Sequence, residues 1–157
     1  MPPPLLQRFA HAVSRRLECY TTVRGADGSP YLSRYWIAGD RKHGGWRLYL
    51  NRFHRSDEGT PGVPLAHHDH PFDAIALVIA NGYRESRLLP DLRREVRDLR
   101  PGSINVIGAT TCHRVELFAP ELEAYTLCVT LPVGRAWGFY DLTGGYMPFK
   151  RVTPAAE

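Results

Sequence analysis

The 157-residue sequence has only three cysteines, Cys19, Cys112 and Cys128, widely spaced and without a CxxC pair. That count supports neither a disulfide framework nor a thiolate zinc site, and it suits a reducing cytoplasm best. No apolar run approaches the roughly 20 residues that cross a bilayer as a helix, so no membrane partner is expected. Neither sign of charge dominates: 20 Lys and Arg against 16 Asp and Glu leave a formal +4, scattered along the chain. So mild a basic balance leaves no footprint for nucleic acid. Internal repeats and linkers are lacking too, and the length leaves one domain over 1–157 with no room for a second catalytic one. The N-terminal MPPPLLQRFAHAVSRR has Arg8 inside its only apolar stretch and so lacks a secretory core. Its arginines and absence of acids leave a transit peptide as the lesser alternative.

Turn formers are plentiful, with 14 Gly and 13 Pro. After the opening prolines, Leu5, Leu6, Phe9, Val13 and Leu17 recur at steps of three or four and predict one amphipathic helix in an extension over 1–18. From Tyr31 onward the chain breaks into short β-branched and aromatic runs, among them WRLYLNRFH, AIALVIA, HRVELF and AYTLCVTL. Seven or more such runs with turn chemistry between them predict an all-β sandwich or barrel. In AYTLCVTL, Tyr125, Leu127, Val129 and Leu131 share one face and Thr126, Cys128 and Thr130 the other, one looking to a core and one to something more polar. The segment from Arg84 to Arg100 interleaves arginines with acids and reads as a solvated hairpin.

Three of the seven histidines, His67, His68 and His70, crowd into LAHHDHPFDAIALVIANGY. Residues two apart on an extended chain share a face, so His68 and His70 project together while His67 and Asp69 point away. Two imidazoles so placed can share a metal. The third ligand must come from another strand, and His113 is the next histidine along, itself in a β-type run.

At these residues the chain resembles the cupin superfamily, whose motifs read G-x5-H-x-H-x3,4-E-x6-G and G-x5-P-x-G-x2-H-x3-N. Gly62, His68, His70 and Gly82 match the first; Gly102 and His113 match the second, with Gly108 and Thr110 where the pattern has Pro and Gly. The two motifs span 62–117. The resemblance implies a double-stranded β-helix, the jelly-roll cupin barrel, here preceded by a helix. Ala74 and Ile75 stand where the superfamily has its metal-binding Glu, and Leu117 where it has Asn. What remains is similar to the three-histidine variant of thiol dioxygenases, which implies a mononuclear iron(II) oxygenase. HDHP and its flanks also resemble a subgroup of small bacterial and phage cupins, which supports the fold and carries no activity over.

Three neutral imidazoles leave a divalent ion its full charge, so its open positions favour a small anionic substrate, with room for oxygen beside it. Zinc, nickel, manganese and copper suit the same donors. Asp73 is an alternative to the missing Glu, or a turn residue after Pro71. His54 closes the strand before the first motif, so Arg52, His54 or Asn51 reaches the pocket, where an Arg would clamp a carboxylate; the alternative is a surface Arg beside SDEG. Tyr125 is a further substrate-binding candidate. Tyr83 and Glu85 share a face after Gly82 and are the catalytic candidates, Tyr83 as a proton donor. His67 reads as structural, Cys112 as buried and inert, and Trp36, Trp46 and Trp137 as core. Two rivals to the oxygenase remain, a non-redox isomerase, epimerase or lyase and a non-catalytic binding module. A homodimer through sheet edges is permitted.

Overall fold

The chain after residue 29 is cut by glycines and prolines into short segments, and several of them pair with partners distant in sequence. The computed structural model describes residues 4–25, 27–57, 59–60, 63–64, 66–132 and 134–149. Helix α1 (Leu5–Ser14) leads into β1 (Cys19–Arg24), β2 (Pro30–Gly39) and β3 (Arg47–Phe53). The short β4 (Gly59–Thr60), β5 (Val63–Pro64) and β6 (His67–His68) precede β7 (Ala74–Ala80), β8 (Tyr83–Leu88) and β9 (Arg94–Leu99). Then come β10 (Ile104–Ile107), β11 (Cys112–Leu117), β12 (Ala124–Thr130), β13 (Gly138–Tyr140) and β14 (Tyr146–Pro148). One six-stranded sheet runs β1-β2-β3-β12-β7-β10 and the other β14-β13-β6-β11-β8-β9. Antiparallel neighbours far apart in sequence, such as β3 with β12 and β6 with β11, make a jelly roll. Gly62, at the start of the first motif, lies outside the described residues, as does the chain beyond Phe149.

Asn81 and Gly82, at φ of 61° and 101°, turn the chain sharply from β7 in one sheet to β8 in the other. A Cβ at Gly82 would come within 2.6 Å of the Leu99 carbonyl, so only glycine fits. Between the sheets, Val78, Tyr83, Leu99, Val115, Leu117 and Ala124 fill one end of the barrel with Phe53 against them. The other end, floored by Ala74, Ala76, Ile107 and Cys128, is built from smaller residues and stays open as a cavity.

On β12 the polar face is the inner one. Thr126 and Cys128 line the cavity, whereas Tyr125 packs outside with Leu50 and Ala80 under helix α1. The helix docks through Ala10 with Val13 and Leu17, and Gln7 Nε2 donates to the Glu123 carbonyl at 2.7 Å. The small Ala10 lets the helix lie close to the sheet, so Leu5, Leu6 and Phe9 of the expected apolar stripe face solvent. Ile75 of β7 and Ile104 and Val106 of β10 are also more than half exposed on the outside of this sheet. Trp46, expected in the core, is 50% exposed beside the Gly44–Gly45 turn. Among the described residues no helix is long and apolar enough to cross a membrane.

Candidate metal centre

The alternation along HDHP sends each residue to a different task. His68 sits on β6 opposite His113 of β11, so register alone sets their side chains next to each other. His67 points the other way, its Nε2 2.9 Å from Ser86 Oγ. Asp69, 1% exposed, accepts the Gly138 N–H at 2.8 Å and the Tyr140 hydroxyl at 3.1 Å and pairs with Arg135, which pins β13 beside β6. His70 follows the strand; its N–H donates to the Ala109 carbonyl at 3.1 Å and its ring stacks on Phe72.

The rings of His68, His70 and His113 therefore meet inside the barrel, with centroids 5.0, 4.9 and 4.9 Å apart. One nitrogen from each lies within 4.8 Å of the others, and His70 Nε2 is 2.8 Å from His113 Nε2. Two nitrogens bound at right angles to one ion at about 2.0–2.1 Å stand roughly 2.9 Å apart, so this pair fits a shared metal.

Two buried carboxylates orient the rings. Glu85 Oε1 is 2.6 Å from His113 Nδ1, and Asp57 Oδ2 is 3.2 Å from His68 Nδ1. Each holds its imidazole by Nδ1 and leaves Nε2 to the interior, the arrangement metal-binding histidines need. Burial, then the neighbouring imidazoles and Arg34, push His70 well below the usual histidine range. His113 is also lowered by burial, although its bond to Glu85 pulls upward. Both rings are thus neutral near pH 7 with lone pairs to offer. Burial raises Glu85, but the bonds from His113, Arg97 and Asn105 outweigh it and hold the carboxyl far below its ordinary value. The same contest, with His68 as counter-charge, keeps Asp57 below the usual range. Glu85 also joins the sheets: Arg87 Nε at 2.9 Å, Arg97 Nη2 at 2.6 Å and Asn105 Nδ2 of β10 at 2.9 Å all donate to it. The chemistry of the donor set fits a divalent metal.

The ring cluster opens onto a cavity of about 170 Å³ with walls from both sheets, largely apolar through Leu32, Phe53, Ile107 and Val115. Tyr83 lines it, 2% exposed, with its hydroxyl accepting from Asn105 Nδ2 at 3.3 Å; burial pushes its pKa up to about 12. Glu85 lies behind His113 as a positioning residue. Three candidates lie elsewhere. Arg52 and His54 point to the outside of the sheet, because their strand turns Asn51 and Phe53 inward. Glu123 Oε1 takes Arg52 Nη2 at 2.6 Å and His54 Nδ1 at 3.2 Å, and His54 Nε2 meets Ser33 Oγ at 2.9 Å. Tyr125, wholly buried, donates to Glu123 Oε2 at 2.9 Å in the same cluster. Asp73 stands outside the histidine cluster and accepts the Ala109 N–H at 2.6 Å, a turn role. Cys112 is half-buried and burial pushes its thiol up to about 12.

Sequence reasoning missed Asp57, which stands in the SDEG turn with nothing to set it apart from a solvated acid. It also missed Arg34, whose signal was a lone cation on the Leu32–Trp36 face of an apolar strand.

No family model and no curated protein matches the sequence. Among solved structures, Fe(II)-HppE with an alternative substrate superposes at a TM-score of 0.56 and 11% identity, covering 75% of this chain and 57% of that one. Hazelnut (Corylus avellana) vicilin gives 0.54 and 12%, covering 82% and 35%. The DMSP lyase DddQ from Ruegeria pomeroyi DSS-3 gives 0.50 and 18%, covering 82% and 61%. The chain thus spans less than two thirds of each of these proteins. They are cupin-type proteins, and this chain has the cupin jelly-roll fold with an N-terminal helix. A fold common to an iron protein, a vicilin and a lyase leaves the activity open.

Proposed function

We propose that this chain is a metal-dependent enzyme of the dioxygenase type, acting on a small anionic molecule with one divalent ion held by His68, His70 and His113. The observation that carries the reading is three imidazoles converging in the barrel, two of them oriented from behind by the buried carboxylates Glu85 and Asp57. Iron(II) is favoured over zinc, nickel, manganese and copper, in keeping with the ligand resemblance and the iron in one structural neighbour. The ion, when bound, supplies a Lewis-acid centre with positions left for substrate and oxygen. The apolar walls exclude water from those positions, and Phe72 fixes the His70 ring by stacking at 5.6 Å. Tyr83 keeps its proton up to about pH 12, so it orients or donates and does not act as a base.

Anaerobic reconstitution with iron(II), then oxygen-uptake assays against thiols, diketones and catechols, tests this. Substrate-dependent uptake by at least one class is expected, and iron-loaded protein inert to all three contradicts it. Activity indifferent to oxygen in a zinc-loaded protein would favour an isomerase, epimerase or lyase.

Two lesser proposals follow. A second copy covers the exposed Ile104 and Val106, since β10 ends its sheet and an isologous edge pairing would bury both residues twice. Ile104→Glu should then turn a dimer into a monomer in sedimentation, and a monomeric parent contradicts it. Cytoplasmic placement rests on the three free cysteines.

A further inference from the structure

The wall of the cavity facing the histidines carries its own polar row. Arg34 of β2 is the register partner of Asn51 on β3, and Asn51 is the partner of Thr126 on β12. All three side chains line the cavity, on neighbouring strands about 4.8 Å apart. The Arg34 side chain has no ion pair or hydrogen bond among the described residues. Its guanidinium lies only against ring faces, 5.4 Å from the centre of Phe72 and 5.9 Å from that of Tyr49. Asn51 Oδ1 is buried without a hydrogen-bond partner among the described residues. Thr126 Oγ1, in a residue 1% exposed, is likewise buried without a partner among the described residues.

Unmatched polar atoms in a buried wall are costly, and here two of them share a cavity wall with a guanidinium that has open donors. We propose that Arg34, Asn51 and Thr126 form a second anchor for the substrate, taking a carboxylate with a hydroxyl or amino group on the neighbouring carbon. This rests on the reading of the three histidines as the metal centre, which takes the reactive end of the same molecule. The planar guanidinium matches a carboxylate, with which it forms paired hydrogen bonds. Asn51 Oδ1 demands a donor, which the hydroxyl or amine provides, and its partial negative charge disfavours a second anionic group. Thr126 Oγ1 donates or accepts as the ligand requires. Phe72, stacked on His70 and under Arg34, joins the two anchors, so the ligand lies along its ring. A cavity of about 150 Å³ takes benzene, so 170 Å³ sets the ligand at about six to eight non-hydrogen atoms.

The test is titration of cobalt(II)-loaded protein with 2-hydroxybutyrate and 2-aminobutyrate, with butyrate, the matching amides and the matching phosphonates as controls. Cobalt absorbance reports the metal centre and calorimetry the ligand. The hydroxy or amino acid is expected to bind at least about tenfold more tightly than its amide. Arg34→Gln should lose about ten- to a hundredfold in carboxylate affinity and Arg34→Lys less, both with cobalt uptake unchanged. Asn51→Leu should bring the hydroxy acid down to the affinity of butyrate. Wild-type affinity in Arg34→Gln, no carboxylate binding by cobalt-loaded protein, or preference for phosphonates would each overturn the proposal. Failure of cobalt to bind would instead strike the metal reading. The same titrations on metal-free protein, followed by Trp137 fluorescence at the cavity wall, would then decide the anchor separately. Dependence on Arg34 supports it and independence overturns it.

Discussion

Two carboxylates in this molecule each grip a histidine, on opposite sides of the fold. Glu123, outside the first sheet, holds His54, Arg52 and Tyr125 beneath helix α1, and both nitrogens of His54 are spent on neighbours. Glu85, wholly buried between the sheets, holds His113 by Nδ1 alone, and the other nitrogen meets His70 across the cavity. The residue types are nearly the same. The first cluster satisfies itself and ties a helix to a sheet; the second leaves nitrogen lone pairs directed at a common point. A histidine reads as a ligand when its second nitrogen faces other imidazoles across a cavity.

Removing the histidines tests the contrast most strongly. His113→Ala should abolish divalent-metal binding in calorimetry, while His54→Ala should leave stoichiometry and affinity as in the parent. Next come the carboxylates. Glu85→Gln should weaken metal affinity about ten- to a hundredfold by loosening the His113 ring, and Glu123→Gln should leave it unchanged. Equal loss in both would erase the distinction.

Stability reverses the ranking. Burial raises Glu123, yet the bonds from His54, Arg52 and Tyr125 prevail and bring it from 4.5 down to about 2. The folded state thus binds fewer protons than the unfolded one between those values. The contribution is complete above pH 4.5 and drains as pH falls to about 2, on the order of 2 kcal/mol after allowance for partial exposure. Glu123→Gln should show a flatter decline of denaturation midpoint across that window, and an unchanged slope would contradict the assignment. Tyr125→Phe removes one bond to Glu123 and should cost about 1 kcal/mol in chemical denaturation without touching metal affinity.

The contrast also explains what could be read from the chain alone. Strand parity placed His68 apart from His67, and motif spacing brought in His113; register delivers both. Parity said equally well that Arg52 and His54 share a face, but not which face looks inward. That depends on what covers the outside, and helix α1 covers it by laying Ala10 against Leu50 and Tyr125. The same limit hid the helix's own docking face, because Leu5, Leu6 and Phe9 have the right period and the wrong azimuth. Glu85 was legible as a neighbour of Tyr83, whereas its grip on His113 depends on the β8–β11 pairing. Asp57 gave no signal, since an acid in a turn is ordinarily solvated.

Elemental analysis of the chain purified without chelator and incubated with iron(II), cobalt(II) or zinc(II) tests the central claim most directly. The account predicts close to one tightly held ion per chain in the parent and none in His113→Ala of unchanged circular dichroism. A folded parent that retains no divalent ion from any of the three would contradict it.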